Sequence, residues 1–258
     1  MNYIELSRSI RETALAAAEL MRTAGEIITE NKTDRRNVVT EYDKKVQLFL
    51  EDRLKNIAPQ AEFFCEELGE QQDPKGPAVF IIDPIDGTMN FVKGFDHSAI
   101  SIAYAEYGEV KVGVVYDVFA DKMYSAVQGE GAFLNGRRIN VSSDPLCDSV
   151  IAFGSSPYDP ERWDEAFALA RKSMTAGLDI RRRGSAALDL CAVAAGNAGL
   201  YFELGLRLWD YAAGMLLVRE AGGSCECLRG GELPFGLEVP AIIAGPADNI
   251  AQFRELLD

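Results

Sequence analysis

The chain's densest concentration of chemistry is the string Phe80-Ile81-Ile82-Asp83-Pro84-Ile85-Asp86-Gly87-Thr88. Two acids three residues apart straddle a proline whose ring fixes φ, so the backbone turns there and both carboxylates can face one point. Gly87 and Thr88 then offer backbone N–H groups to an anion, all the more so if a helix starts at them. Clustered carboxylates repel one another unless a cation sits between them, and hard oxygen donors select Mg²⁺. A bare D-x-x-D is equally a capped turn with two solvated acids, but the full string is far more specific. Upstream, the apolar run from Ala61 to Phe64 also ends in carboxylates, so Glu66, Glu67, Asp83 and Asp86 can converge on one polar rim.

Other catalytic apparatus is missing from the sequence. His97 is the single histidine, and a His-Glu-x-x-His zinc helix needs two on one face. There is no G-x-S-x-G elbow, no G-x-x-x-x-G-K phosphate loop and no G-x-G-x-x-G after a strand. Cysteines at 65, 147, 191, 225 and 227 form no CxxC pair and are odd in number, which argues against a zinc knuckle and a disulfide framework and fits a reducing compartment. Any enzyme chemistry must therefore rest on carboxylates.

The elements that must position these acids follow from periodicity and punctuation. Ile4, Ile10, Ala14, Ala17, Met21, Ala24 and Ile28 recur at helical spacing, predicting a first helix from 3 to about 30. After the polar break Asn31-Lys32-Thr33-Asp34-Arg35-Arg36, Thr40-x-x-Asp43 reads as a capping box. It opens a second helix with apolar positions Val46, Phe49, Leu50, Leu54 and Ile57, closed before Pro59. Runs at 61–64 and 78–82 read as buried strands, and 98–141 as antiparallel hairpins turning at Tyr107-Gly108-Glu109, Ala120-Asp121-Lys122, Gln128-Gly129-Glu130-Gly131 and Asn135-Gly136. Beyond Asp144-Pro145 the pattern alternates, with helices near 160–176, 185–195, 210–221 and 247–257 and strands near 178–183 and 199–203. Cys225 and Cys227 alternate on a further strand. This divides the chain into an α+β part over 1–145, carrying the metal-type motifs, and an α/β part over 146–258 that completes the site.

Composition sets the outer bounds. With 258 residues, 48% hydrophobic and 26% charged, the chain has the make-up of a globular protein with a substantial core. A net charge of −14 repels a phosphate backbone unless a cation intervenes, so no nucleic-acid role is expected. Arg181-Arg182-Arg183 is a basic block in this acidic chain and reads as an interface or a salt-bridged strand edge. No apolar run approaches a bilayer span and the start lacks a basic segment followed by an apolar core, so a cytoplasmic protein is expected, with no membrane role.

Taken together, Asp83-Pro84-Ile85-Asp86-Gly87-Thr88, the upstream Glu66-Glu67 and the downstream Leu208-Trp209-Asp210-Tyr211-Ala212-Ala213-Gly214 resemble the inositol monophosphatase family. Gly184-Ser185-Ala186-Ala187-Leu188-Asp189-Leu190 and Leu216-Leu217-Val218-Arg219-Glu220-Ala221-Gly222-Gly223 are similar to its bacterial branch, so the resemblance spans nearly the whole chain. It implies an α/β (α+β) layered αβαβα sandwich, shared with fructose-1,6-bisphosphatase. The expected protein is a homodimer that hydrolyses a small phosphorylated polyol or sugar, first of all inositol monophosphate, with two or three Mg²⁺ ions. Other enzymes of the fold, fructose-1,6-bisphosphatase and nucleotide 3′-phosphatase, and a non-catalytic dimeric interaction protein are the alternatives.

Residue roles carried by the resemblance are as follows. Glu66, Asp83 and the carbonyl of Ile85 hold one metal; Asp83, Asp86 and Asp210 hold a second; Glu66 also helps a third. Glu66, Thr88 and Asp43 are catalytic, the Thr88–Asp43 pair polarising the nucleophilic water, and Lys32 matches a loop lysine. Substrate contacts fall to Asp86, Gly87, Thr88, Gly184, Ser185, Ala186, Glu203, Arg207 and Asp210. Asp43 is equally a capping residue, Asp210 a helix N-cap and Ser185 a residue near a helix cap. Cys65 and Met89 depart from the family's usual spelling without removing a ligand, and Gly94-Phe95-Asp96-His97 implies a reshaped loop in which His97 is structural.

Overall fold

A computed structural model describes residues 1–25, 27–31, 38–67 and 73–257. Helix α1 (Tyr3–Arg22) is capped by Asn2, whose side chain accepts from the N–H groups of Ile4 and Glu5. Its buried stripe includes Ile10, Ala14, Ala17 and Met21, as the spacing predicts. The helix nevertheless stops well short of residue 30. Strand β1 (Thr29–Asn31) pairs antiparallel with β2 (Val38–Thr40), Gly25 interrupts the helical pattern and donates its N–H to the Tyr42 hydroxyl, and Ile28 is 63% exposed. Ile4 also lies off the buried stripe. Helix α2 (Glu41–Ile57) starts at the predicted capping box, with Thr40 and Asp43 bonding each other's backbone N–H.

Seven strands follow in spatial order identical to chain order: β3 (Glu62–Cys65), β4 (Val79–Asp86), β5 (Ala99–Glu106), β6 (Glu109–Asp117), β7 (Lys122–Val127), β8 (Gly131–Leu134) and β9 (Arg137–Ile139). The β3–β4 pair is parallel. The rest form the antiparallel meander that the turn signals predict. Helix α3 (Thr88–Lys93) leaves β4 directly.

The second sheet has the order β11-β10-β12-β14-β13, with β10 (Val150–Phe153), β11 (Asp179–Arg181), β12 (Leu200–Glu203), β13 (Ser224–Cys227) and β14 (Ile242–Gly245). The sequence reading assigned no strand to β10 or β14, although β10 and β14 are both interior to this sheet. Four-residue apolar runs carry no period that separates strand from helix. Helices α4 (Trp163–Ala176), α5 (Ala186–Ala194), α6 (Leu208–Glu220) and α7 (Ala247–Arg254) complete the chain.

Three apolar clusters define the layering. One joins α1 and α2 to one face of the large sheet through residues such as Leu50, Phe80 and Ile82. Another fills the space between the sheets with α5 and α6. The third covers the small sheet with α4 and α7. The result is an αβαβα stack. All nine residues of α5 are buried, as suits a helix covered on every side. Strand β4 alternates across the large sheet: Phe80 and Ile82 face α1 and α2, whereas Val79 and Ile81 face the inter-sheet layer. Asp83 shares the parity of Val79 and Ile81, which turns it toward α6 and Asp210. Gly113 makes that approach close, because a Cβ there would stand 2.7 Å from the Ala213 carbonyl of α6.

Candidate active site

The two acids of the central motif lie within β4 and not past its end, which corrects the expectation of a turn at Pro84. Proline cannot donate to a ladder and is tolerated in sheets at bulges. The pairing of β4 with β5 shifts register between Asp83 and Asp86, and β3 stops pairing at Ile82, so no partner strand needs the missing N–H. The bulge diverts the backbone just where the carboxylates must turn inward. Asp83 Oδ1 then accepts from Ile85 N–H at 3.0 Å.

Asp86 is held across 101 residues of sequence. Its Oδ2 accepts from the Ala187 N–H at 2.8 Å and from the Ser185 hydroxyl. Ser185 is also the N-cap of α5, accepting from Leu188 N–H, so the capping role and a place in the site coexist. Gly184 precedes it at φ +80, and Ala186 opens the helix. Asp210 is the third residue of α6, not its N-cap; it reaches back to the Arg207 N–H at 2.6 Å. Arg207 itself is exposed, and its guanidinium donates to the Leu237 carbonyl at 3.0 Å.

Asp43 unites its two expected positions. Oδ2 accepts from the Thr40 N–H at 2.7 Å and from its hydroxyl at 2.5 Å. That leaves Oδ1 facing the Thr88 hydroxyl at 3.2 Å, which also lies 3.0 Å from the Ile85 carbonyl. Glu66 follows β3 and donates its backbone N–H to the Ile82 carbonyl, and Glu67 donates its own to Gln47. Glu203, at the end of β12, is buried, accepting from Tyr201 OH at 2.7 Å and Ser156 N–H at 3.0 Å. Gly154 makes room for it, since a Cβ there would overlap the Glu203 carboxylate. His97 is half-buried, its Nε2 has no hydrogen-bond partner among the described residues, and burial lowers its pKa. Lys32 and the rest of its loop to Asn37 lie outside the described residues.

Electrostatics bind these groups into one site. Burial raises the Asp83 carboxyl well above its ordinary value, and the charges of Glu66, Asp86, Asp210 and Asp43 raise it further. Asp86 is pushed up to about 6 by burial against the opposing pull of Ser185 and Ala187, with Glu66 and Glu203 adding to the rise. Asp210 is raised well by burial and then by Glu66 and Asp86. Burial raises Asp43 as well, Thr40 opposing and Glu66 reinforcing. Among the described residues no three acid, cysteine or histidine side chains are already drawn into a finished metal cage. Asp83, Asp86, Asp210 and Asp43 each accept from a hydrogen-bond donor of their own. The donor set is all hard oxygen with no cation among the leading influences on Asp83, which fits Mg²⁺.

Sequence reasoning missed the supporting groups. Asp189 is buried and paired with Arg183, Nε to Oδ1 at 2.8 Å. Asn90 bridges segments 93 residues apart, and Tyr201 and Ser156 orient Glu203. An acid inside the apolar helix Ala186-Ala187-Leu188-Asp189-Leu190 was the available signal for the first. The others carry none.

Residues 5–256 match the model of the inositol monophosphatase family. The chain is 38% identical over 226 residues to Nus factor SuhB of Salmonella typhimurium, covering 83% of this chain and 85% of that one. Its fold superposes with TM-score 0.91 on the extragenic suppressor protein SuhB of Bartonella henselae, at 34% identity and 98% coverage of both chains. The Thermotoga maritima inositol monophosphatase gives TM-score 0.88 at 32% identity, covering 100% of this chain and 97% of that one. With the acid-bearing bulge, the α5 and α6 caps that hold its carboxylates, and these matches, the chain belongs to the inositol monophosphatase family.

Proposed function

We propose that this protein is a Mg²⁺-dependent phosphoric monoester hydrolase acting on inositol monophosphate or a similarly small polyol phosphate. The observation that carries the reading is the convergence of Asp83, Asp86, Asp210 and Glu66, with no cation of the described residues among the leading influences on Asp83 and Asp210, beside the Thr88–Asp43 pair. Asp83, Asp86, Asp210, Glu66 and the Ile85 carbonyl are the groups that would hold the metal. Mg²⁺ bound there supplies positive charge for the phosphoryl oxygens and the leaving oxygen and lowers the pKa of water.

The chain's own residues do the rest. Thr40 saturates Asp43 Oδ2, so Oδ1 is left to take the Thr88 hydroxyl proton in a hydrogen bond. The Thr88 oxygen would then serve as an acceptor for a hydrogen bond from water. Glu203 is fixed by Tyr201 and Ser156 through one bond to each oxygen, and its remaining lone pairs suit a polyol hydroxyl. Ser185 and Ala187 bond Asp86. Solved members of the family hold inositol monophosphate, or Mg²⁺ and phosphate, which supports the substrate class and the ion. Homodimerisation and a cytoplasmic setting rest on family resemblance and sequence character. No helix among the described residues is long and apolar enough to cross a membrane.

The name Nus factor SuhB, carried by several matched relatives, favours a second reading as an interaction protein on the same fold. A phosphate-release screen over cyclitol, sugar and nucleotide monophosphates, with Mg²⁺ and with EDTA, decides. Metal-dependent release with preference for cyclitol phosphates supports hydrolysis; no release from any ester supports the second reading.

A further inference from the structure

Asp86 depends on donors from a distant part of the chain, so the turn that carries Ser185 and Ala187 must be held in register with the β4–α3 junction. The Asn90 side chain spans that gap. Asn90, the third residue of α3, donates from Nδ2 to the Arg183 carbonyl at 2.8 Å, to the His97 carbonyl at 2.8 Å and, more weakly, toward Gly184 O at 3.4 Å. Only an amide nitrogen can serve carbonyl acceptors, so its orientation is fixed by its partners. Gly87 completes the junction. At φ +86, a Cβ on it would stand 3.0 Å from the His97 carbonyl and 3.2 Å from the Gly184 carbonyl, while Ser98 donates its hydroxyl to the Gly87 carbonyl at 3.0 Å. On the far side of the turn Arg183 is fastened to Asp189 and to the Leu188 carbonyl.

The structure assigns to Asn90 the role of a positioning residue: its amide locks the turn before α5 against the start of α3 and so sets the donors that hold Asp86. This rests on the hydrolase reading for its catalytic consequence, but not for the clamp itself. Removing the amide leaves two backbone carbonyls without a donor and lets Ser185 and Ala187 drift from Asp86. Groups behind a ligand typically change metal affinity or activity by about 10–100-fold when lost.

Asn249 supplies a matched control, because its Nδ2 also bridges two backbone carbonyls, Asp144 O at 3.2 Å and Gly199 O at 3.1 Å, away from these groups. The experiment compares wild type, Asn90→Ala, the isosteric Asn90→Asp and Asn249→Ala. It measures hydrogen exchange at the Ala187 amide and the Mg²⁺ concentration for half-maximal hydrolysis of inositol monophosphate. Both Asn90 variants should speed Ala187 exchange and raise the Mg²⁺ requirement roughly tenfold, whereas Asn249→Ala lowers thermal stability and changes neither. Unchanged Ala187 exchange in a folded Asn90 variant, or an equal Mg²⁺ shift in Asn249→Ala, overturns the assignment. If wild type releases no phosphate, the hydrolase reading fails, and Ala187 exchange still decides the clamp.

Discussion

Buried carboxylates occur here in two groups that differ in what balances them. Around Asp83 the neighbours that matter after burial are Glu66, Asp86, Asp210 and Asp43, all acids. Around Glu203 and Asp189 the protein provides its own compensation: Tyr201, Ser156 and Arg182 oppose the effect of burial on Glu203, and Arg183 opposes it on Asp189, which still reaches about 7. Among the described residues no cation stands among the leading influences on the first group, whereas Arg182 and Arg183 act on the second. On the hydrolase reading proposed above, metal binding would fall to the first group and recognition of a neutral, hydroxyl-rich ligand to the second, and Ser185 and Ala187 bond Asp86 of the first.

Breaking the first group should have the largest consequence. Asp86→Asn keeps the volume and removes a charge, so hydrolysis should be lost while the fold persists; a rate within about tenfold of wild type would contradict the assignment. In the second group, Glu203→Gln keeps the shape but weakens acceptance of substrate hydroxyls. Here kcat/KM for inositol monophosphate should fall by roughly tenfold, about 1.4 kcal/mol, with an unaltered Mg²⁺ requirement. A changed Mg²⁺ requirement would show that the two groups are not separable.

Stability offers a second contrast. The metal-free carboxyls of Asp83, Asp86, Asp210 and Asp43 bind protons more tightly folded than unfolded. Their contribution to stability is therefore full below about pH 4 and is lost as pH rises, for Asp86 through about 6. Mg²⁺ replaces those protons, so its stabilising effect should grow from pH 5 to pH 8. At a hundredfold excess over Kd it amounts to about 2.7 kcal/mol, on the order of 5 °C in Tm. A thermal shift that is flat in pH would count against the group. The smallest effect belongs to Arg207→Ala, because its guanidinium is engaged with Leu237. Steady-state kinetics should change by less than about threefold, and a larger loss of substrate affinity would show that Arg207 contacts the substrate.

How much of this was legible in the sequence depends on the range of each interaction. The Thr40–Asp43 box, the apolar runs ending in acids and the hairpin turns are local, and they appear where periodicity and turn chemistry put them. Helix α1 was overextended because Ala24 and Ile28 keep the helical spacing, while β1–β2 pairing takes the following residues. Strand β4 runs past the 78–82 segment legible in the sequence, where proline reads as a stop; the register shift against β5 and the end of β3 pairing at Ile82 explain its passage. Asn90 and Asp189 were invisible for another reason. Asn90 works on a carbonyl 93 residues away, and the value of Arg183 beside Asp189 depends on burial inside a layer that two sheets create together.

The central claim, that Asp83, Asp86, Asp210 and Glu66 form a site whose charge is completed by Mg²⁺, is tested most directly by calorimetric titration of the metal-free protein. Mg²⁺ should be titrated at pH 6 in two buffers of different ionisation enthalpy. The account predicts saturable binding with net proton release, because the Asp86 carboxyl is pushed up to about 6 and would lose its proton to the buffer when the ion binds. Both signals should vanish in Asp86→Asn. Binding without proton release, or heats indistinguishable between wild type and Asp86→Asn, would contradict it.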